Sequence, residues 1–401
     1  GYRWGGPSVY NGAMFAVLLS GGVDSSVALG LLREETTEPI EAYYLKVWLE
    51  DELSYLGNCP WEDDLAYAGE VAYRFDVPLN VISLQREYHE KVVSYVLDEL
   101  ALGRTPSPDL FCNADIKFKA FLEALPGGVS REATVPGSGP PPVAGPEIGA
   151  ADATPPTIVT GHYARIEGGD SGPRLFQAPD PVKDQTYFLS RLSPEQLAGA
   201  HFPLGRLTKE EVRRRAREWN LPNRDRPDSQ GICFLGKIRY RDFVGHHLGE
   251  HDGPIVDIAS GETLGSHRGH WFYTVGQRQG LGLGGGPWYV VSKDVASNRI
   301  LVAHGDAEAS VRTKRFALRG LNRIGRGREL LTGPDPVEVR LKVRHGPGFL
   351  SGRVFFDRGA GEALVEISRP ERGVADGQCA VFYRDGECIG SGIIQRIEEN
   401  R

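Results

Sequence analysis

The run Phe15-Ala16-Val17-Leu18-Leu19, followed at once by Ser20-Gly21-Gly22-Val23-Asp24-Ser25-Ser26, constrains this chain more than any other stretch. Five apolar residues read as a buried strand, the small-residue loop Ser20 to Ser25 turns the chain, and Val27 to Arg33 reads as a helix. Strand, tight loop and helix together aim backbone N–H groups and the positive end of a helix dipole at one point, which suits a phosphate. Gly21 and Gly22 let an anion approach the backbone with no Cβ in the way. Ser20, Ser25 and Ser26 add hydroxyl donors, and Asp24 is a candidate to hold a magnesium ion on the phosphates. No GK[ST] follows, which argues against a Walker-type γ-phosphate site.

The loop opens a long alternation of strand and helix. Ile40 to Trp48 is a second apolar run, Trp61 to Phe75 has helical spacing, and Leu79 to Ser83 reads as a short strand. Glu87 to Leu102 and Asp115 to Leu125 read as helices. Such alternation predicts a doubly wound parallel sheet with helices on both faces, whose ligands sit at the carboxyl ends of the strands, where Ser20 falls. Pro126 to Pro156 breaks the pattern with Pro, Gly, Ala, Ser and Thr and almost no large apolar residue, so it reads as a disordered insertion. The sheet resumes at Thr157 to Thr160, and Thr208 with Glu211 forms a capping box at the head of a helix reaching Asn220.

From about residue 240 the texture changes to short β-rich runs. Val337 to His345, Gly352 to Phe356, Ala363 to Ser368 and an Asp385-Gly386 hairpin predict a terminal β-barrel. The expected fold class is therefore α/β + β. A parallel-sheet domain spans 13–236 with the insertion at 126–156, a small central domain spans 237–308, and a β-barrel domain spans 309–401.

The chain has 401 residues, 40% hydrophobic and 25% charged, which places it among ordinary soluble globular proteins. No apolar run approaches the roughly 18 residues needed to cross a bilayer. A formal net charge of −7 means that any grip on nucleic acid must come from a local basic face. Arg206, Lys209, Arg213, Arg214, Arg215 and Arg217 around the capped helix are the candidates, with Glu210, Glu211 and Glu218 as possible intrahelical partners. Trp271, Tyr273, Trp288 and Tyr289 are candidates for stacking on unpaired bases. The chain starts at Gly1 and its single methionine is Met14, so a fragment or processed form is expected, with any targeting peptide upstream.

Cys59, Cys112, Cys233, Cys379 and Cys388 are too scattered for a disulfide scaffold, and no C-x-x-C pair supports zinc. Cys112 follows Pro106, Pro108 and Asp109, and the helical spacing beyond it predicts Asn113 as an N-cap. A thiol at a helix N-terminus with Lys117 nearby has its thiolate favoured, and Asp109 is placed to move a proton. Cys233, between Gly231 and Gly236, reads as sitting on a mobile loop.

Taken together, SGGVDSS, PDxxCNxxIKF and DSQGICFLG resemble the tRNA-specific 2-thiouridylases of the PP-loop ATP pyrophosphatase superfamily. The resemblance continues through Thr160-Gly161-His162-Tyr163-Ala164-Arg165, Lys183 to Leu189, Tyr273 to Arg278, Pro287 to Val290 and Lys342 to His345. It covers nearly the whole chain apart from the first dozen residues and the insertion. It implies a PP-loop domain that uses ATP and Mg2+ to adenylate the O2 atom of a wobble uridine, in tRNAs for Lys, Glu and Gln. Sulfur would then arrive from a cysteine persulfide supplied by a sulfur carrier or cysteine desulfurase, without a membrane. Carried over by motif, Cys233 is the persulfide carrier, Cys112 the second nucleophile and Asp109 the acid/base residue. Leu18, Leu19, Ser20, Gly21, Gly22, Val23, Asp24, Ser25, Leu45 and Gly161 match nucleotide-contact positions. Ser107, Pro108 and Asp109 match the strip facing the target base, with Ser107 where Asn is more usual in the family. His162, Lys183, Asp184, Gln185, Arg344, His345 and Gln378 match positions facing tRNA.

The spelling of Leu45 to Leu49 and Gly57 to Trp61 is similar to organellar plant-type members, so a plastid or mitochondrial address is expected, with the cytoplasm as alternative. Two other functions fit parts of the sequence. Another PP-loop enzyme, such as an amidating synthetase or a lysidine-forming ligase, needs no paired cysteines, and a non-catalytic tRNA-binding module needs neither the cysteines nor Asp109.

Replacing residues 126–156 by a short flexible linker is expected to leave thermal stability and activity nearly unchanged. The segment offers no apolar surface to bury, and each doubling of a loop costs only about 0.6 kcal/mol. Parallel melting curves of the two proteins check this, and a large drop in Tm would show that the segment packs.

Overall fold

The computed structural model describes residues 14–47, 61–125, 155–170, 172–228, 239–305, 312–333, 335–356 and 363–397. Most of the Pro/Gly-rich stretch, and the stretches carrying Cys59 and Cys233, lie outside these residues. The chain divides into two compact units, the first of Gly1–Lys91, Leu110–Lys237 and Gly386–Cys388, the second of Val92–Asp109, Ile238–Asp385 and Ile389–Arg401.

The first unit is built on a five-stranded parallel sheet. Its strands are β1 (Phe15–Leu18), β2 (Ile40–Lys46), β3 (Leu79–Ser83), β4 (Thr157–Val159) and, after a hairpin of β5 (Ala164–Glu167) and β6 (Arg174–Gln177), β7 (Ala200–His201). The order is β3-β2-β1-β4-β7, so the chain winds outward from β1 in one direction, then starts again on its other side. Phe15 pairs with Ile40 and with Thr157, and Val17 with Ala42 and with Val159.

Every residue of β1 is buried, as its unbroken apolar run requires of a strand covered on both faces. Phe15, Val17 and Leu19 pack with Leu29 and Leu32 of the helix Val23–Glu35 and with Leu65, Ala68 and Val71 of the helix Trp61–Arg74. The opposite face meets the 112–124 helix, where Tyr43 sets its ring edge-on to Phe121 at 5.0 Å. The predicted capping box is present. The Thr208 hydroxyl accepts from the Glu211 N–H, and the Glu211 carboxylate accepts from the Thr208 N–H at 2.7 Å. The helix it opens, Lys209–Glu218, buries Val212 and Ala216 against Val27 and Ala28.

The second unit contains two β systems. β8 (Gly253–Asp257), β9 (Thr263–His267), β10 (Trp288–Asp294) and β11 (Arg299–His304) form a sheet in the order β10-β11-β8-β9, packed on Ile255, Tyr273, Val290, Ile300 and Val302. β12 (Thr313–Arg323), β13 (Val337–Lys342), β14 (Leu350–Phe356), β15 (Ala363–Glu371), β16 (Cys379–Arg384) and β17 (Glu387–Arg396) follow in the order β12-β15-β14-β13-β16-β17. β12 also pairs with β17, from Phe316↔Arg396 to Arg323↔Gly390, so the six strands close into a barrel. Asp385 and Gly386 carry φ of 51° and 80°, the two positive values that a two-residue type I′ hairpin demands. The helix Ser94–Ala101 belongs to this unit, because its buried Glu99 accepts from Arg319 at 3.0 and 3.1 Å and from Arg104 at 2.9 Å.

Leu29 is fully buried between sheet and helix in the first unit. Leu29→Ala is expected to cost about 2–5 kcal/mol in a denaturant titration, the transfer loss plus a cavity. A loss below about 1 kcal/mol would mean that this core collapses around the gap.

Candidate active site

The chain leaves β1 at Leu18, and the Leu19 N–H donates to the Tyr43 carbonyl at 2.9 Å before the turn begins. Gly21 has φ +74°, and a Cβ there would lie 2.2 Å from the Asp64 carbonyl oxygen, so only glycine fits. Ser25 Oγ accepts from the Ser20 N–H at 3.2 Å and donates to the Gly22 carbonyl at 3.1 Å, while Ser26 Oγ reaches the same carbonyl at 2.9 Å. These bonds make a rigid turn. Gly22 is the extended N-cap of Val23–Glu35, and no side chain caps this end. The first-turn N–H groups therefore lack side-chain acceptors, the arrangement that binds an anion.

Gly161, in the loop after β4, presses on the same turn; a Cβ on it would be 2.7 Å from the Ser25 nitrogen. Leu45 is half-buried near the end of β2, paired with Ile82. The nucleotide set expected from sequence, Leu18 to Ser25 with Leu45 and Gly161, thus gathers at the carboxyl ends of the adjacent strands β2, β1 and β4. β1 and β4 flank the point where the winding direction reverses, the crevice in which open parallel sheets take their ligands.

Asp24 differs from its expected role. Its carboxylate accepts from the Tyr163 hydroxyl at 2.7 Å and from the Lys209 ammonium at 2.8 and 2.9 Å, so a metal ion there would compete with a cation already in place. Burial first, and the adjoining Asp24 charge second, raise the Tyr163 phenol far above the usual tyrosine range, which keeps it a donor. Among the described residues no group of three His, Cys, Asp or Glu is placed to hold a metal ion.

Lys209 also reaches Asp228 at 2.7 Å, and Asp228 is paired with Lys183 and Arg213 as well. Partial burial opposes ionisation of Asp228, but donation from Lys183, Lys209 and Arg213 outweighs it and holds the carboxyl below the usual range. Arg213 further donates to the carbonyls of Arg224 and Arg226 at 3.0 and 2.6 Å. The expected phosphate-binding cluster is therefore corrected at Lys209 and Arg213, whose charges are spent on Asp24, Asp228 and backbone. Arg214 and Arg215 stay on the surface beside Glu218. Sequence reading missed Asn223 and Arg226. Asn223 is fully buried and donates to the Gly21 carbonyl and Ser26 Oγ, both at 2.8 Å, and Arg226 donates to the Gly21 carbonyl at 3.1 Å and pairs with Asp64. No local pattern marks them, since their partners lie some 200 residues away.

The helix around Cys112 starts earlier than expected. Pro108–Phe111 forms a first turn and Cys112–Ala120 continues it with π-type spacing. Pro108 presets the first helical φ. Asn113 is not an N-cap: its side chain donates to the Phe188 carbonyl at 3.0 Å and accepts from Lys117 at 2.9 Å. Cys112 is thus a buried thiol one turn inside the helix, beyond the strongest part of the dipole field. Asp109, with Pro108, is in the first turn, and Ser107 donates its N–H to the Tyr95 hydroxyl at 3.4 Å. Cys233 falls outside the described residues.

The tRNA-facing set splits. Lys183 and Gln185 are half-buried, whereas Asp184 is 1% exposed and accepts from the Thr186 hydroxyl and from Gln177, holding its own loop together. His162 is also buried, bonded through Nδ1 to Thr160 Oγ1 at 2.7 Å and edge-on to Phe202. The side chains of Asp184 and His162 therefore organise the loop instead of offering a surface to RNA. Arg344 and His345 are exposed and Gln378 half-buried, all in the second unit. Of the aromatic candidates, Tyr273 is core, while Tyr289 lies under the Arg372 guanidinium at 4.5 Å.

A parallel α/β domain with an uncapped helix at its topological switch point defines a nucleotide-binding domain of the HUP class, here followed by a small sheet and a closed barrel. Comparison agrees. Residues 13–137 and 149–237 match the model described as tRNA methyl transferase HUP domain, 241–304 its PRC-barrel domain, and 326–394 the aminomethyltransferase beta-barrel domain. The tRNA-specific 2-thiouridylase MnmA 1 of Bacteroides thetaiotaomicron is 39% identical over 383 residues, covering 95% of this chain and 99% of that protein. The tRNA-specific 2-thiouridylase MnmA of Porphyromonas gingivalis is 38% identical over 388 residues, covering 95% of this chain and 99% of its own. MnmA 2 of Bacteroides fragilis is 40% identical over 384 residues, covering 94% and 99%. The chain belongs to the tRNA-specific 2-thiouridylase family.

Burial first, and the Lys117 charge second, hold the His162 imidazole well below its ordinary value of 6.5, so it is neutral near pH 7. Below about pH 6.5 the unfolded state binds a proton that the folded state refuses, so the stability contributed here is complete above that pH and drains as pH falls. Tm measured from about pH 7.5 to about pH 5.5 is expected to fall less steeply in His162→Asn than in the wild type. Equal slopes would assign the acid sensitivity to other groups.

Proposed function

We propose that this chain forms 2-thiouridine in tRNA by adenylating the uridine O2 atom with ATP and exchanging the adenylate for sulfur. The single observation that supports this reading most is the gathering of Ser20 to Ser25 and Gly161 at the switch point of the sheet, with an uncapped helix end above it. The first-turn N–H groups, with the Ser20 hydroxyl, would hold phosphates, while Ser25 and Ser26 donate to the Gly22 carbonyl and shape the turn, and Leu45 lies near the end of the neighbouring strand. Mg2+ would ride on the phosphates, since Lys209 already neutralises Asp24.

Attack by uridine O2 on the α-phosphorus releases diphosphate and turns a poor leaving group into AMP. The terminal sulfur of a persulfide on Cys233 then bonds to C2 and AMP departs with the C–O electron pair. The Cys112 thiolate attacks the Cys233 sulfur, the persulfide S–S bond breaks, and the sulfur stays on C2 while a Cys112–Cys233 disulfide forms. A dithiol reductant resets the pair. Asp109 serves as the proton-transfer residue beside the base, with Ser107 and Pro108. Because Cys112 is buried and past the dipole maximum, its activation depends on contacts made once tRNA and the Cys233 segment are in place. The wobble position in tRNAs for Lys, Glu and Gln is the expected target, a cysteine desulfurase or sulfur carrier the donor, and Arg344 and His345 the exposed tRNA-facing groups.

The matched family description speaks of methyl transfer, which calls for a methyl donor and not for an adenylating loop. The turn at Ser20 and the paired cysteines favour thiolation, and an amidating or lysidine-forming reaction leaves both cysteines idle. No helix among the described residues is long and apolar enough to cross a membrane, and the organellar address is retained as a proposal.

Single-turnover assays on persulfide-loaded enzyme test the reading. Wild type is expected to yield 2-thiouridine, AMP and a Cys112–Cys233 disulfide seen by non-reducing peptide mapping. Cys233→Ser is expected to adenylate tRNA without transferring sulfur, and Cys112→Ser to load sulfur but discharge it at least about 100-fold more slowly. Wild-type rates in either variant would refute the two-cysteine route.

A further inference from the structure

One ammonium group bridges two parts of the first unit that the proposed reaction uses at different steps. Lys209 Nζ lies 2.8 Å from Asp24, on the helix that opens the nucleotide turn, and 2.7 Å from Asp228. Asp228 begins the Asp-Ser-Gln-Gly-Ile-Cys run that leads to Cys233. The chain just before it is laced to the same turn, through Asn223 and Arg226 on the Gly21 carbonyl and through Arg213 on the carbonyls of Arg224 and Arg226. Asp228 itself takes three cations, Lys183, Lys209 and Arg213. Three positive groups drawn to one carboxylate at the end of an already anchored strip exceed what holding a surface turn requires.

We propose that Asp228 is a positioning residue for sulfur transfer, fixing through Lys209 the point from which the Cys233 segment departs relative to the nucleotide turn. The inference rests on the function proposed above. Five residues of chain reach at most about 18 Å, so a fixed Asp228 sets the sphere within which the Cys233 thiol can act. With Asp228 released, the next anchor among the described residues is Arg226, and seven residues reach about 25 Å. The adenylation step needs only the turn, whereas the sulfur step needs both the turn and a correctly aimed thiol. Loss of the Asp228 charge should therefore uncouple the two.

The test is Asp228→Asn, preloaded with persulfide by a cysteine desulfurase and cysteine, then given ATP and tRNA for one turnover. The readout is 2-thiouridine formed per AMP released, normalised to persulfide content. A variant that is merely less stable loses both products together and keeps the ratio. Asp228→Asn is expected to lower the ratio about tenfold, as a misaimed reacting group does, and Asp228→Glu to restore much of it. An unchanged ratio in folded Asp228→Asn overturns the proposal. If that variant does not fold, Arg213→Gln removes the cation that ties Asp228 to the carbonyls of Arg224 and Arg226 and leaves Asp24 and Lys209 paired; a lowered ratio supports the proposal and an unchanged one overturns it. Wild-type enzyme that releases AMP without any 2-thiouridine would instead overturn the functional reading, and the proposal with it.

Discussion

The chemistry of the first unit depends on β1 having parallel partners on both sides. Phe15 pairs with Ile40 on one edge and Thr157 on the other, so β1 is a central strand and all four of its residues are buried. The chain can then leave β1 only at its carboxyl end, and because winding reverses between β1 and β4, no crossover covers that end. A turn built of serines and glycines is what the space admits: Gly21 because the Asp64 carbonyl is in the way, Gly161 because the first helical turn is. The anion site is a by-product of sheet order before it is a matter of any one side chain.

Much of this was legible in the residues. The unbroken run Phe15 to Leu19 marked a doubly covered strand, Thr208 with Glu211 marked a helix start, and Asp385-Gly386 marked a hairpin, because each is a local rule with a local cause. What could not be read was long-range pairing. Arg213 and Lys209 look like candidates for RNA phosphates until Asp228 and Asp24 are folded against them, and Asp24 looks like a metal ligand until Lys209 arrives from 185 residues away. Asn113 illustrates the same limit on a shorter scale. Asparagine after a proline-rich stretch suits an N-cap, but a carbonyl 75 residues on, at Phe188, competes for its amide and wins.

The corrected position of Cys112 alters how its reactivity is understood. A thiol at a helix N-terminus would carry a standing bias toward thiolate, whereas a buried one a turn further in is close to a passive apolar residue. Such a thiol is shielded from adventitious oxidation by its burial. His162 and Asp184 make a parallel case, since motif membership alone does not distinguish a residue that touches substrate from one that shapes the loop presenting it.

The closure of the barrel by β17 has a consequence for synthesis on the ribosome. β17 pairs with β12, some seventy residues upstream, and its first residues, Glu387 and Cys388, are also the strand partners of β6 in the first unit, with Glu387 fully buried beside Arg174. A nascent chain that has not yet delivered this one strand leaves a barrel with a seam and a hairpin with a bare edge and an unmatched guanidinium. Until that strand arrives, the barrel offers an open strand edge of the kind that chaperones shield and aggregates recruit.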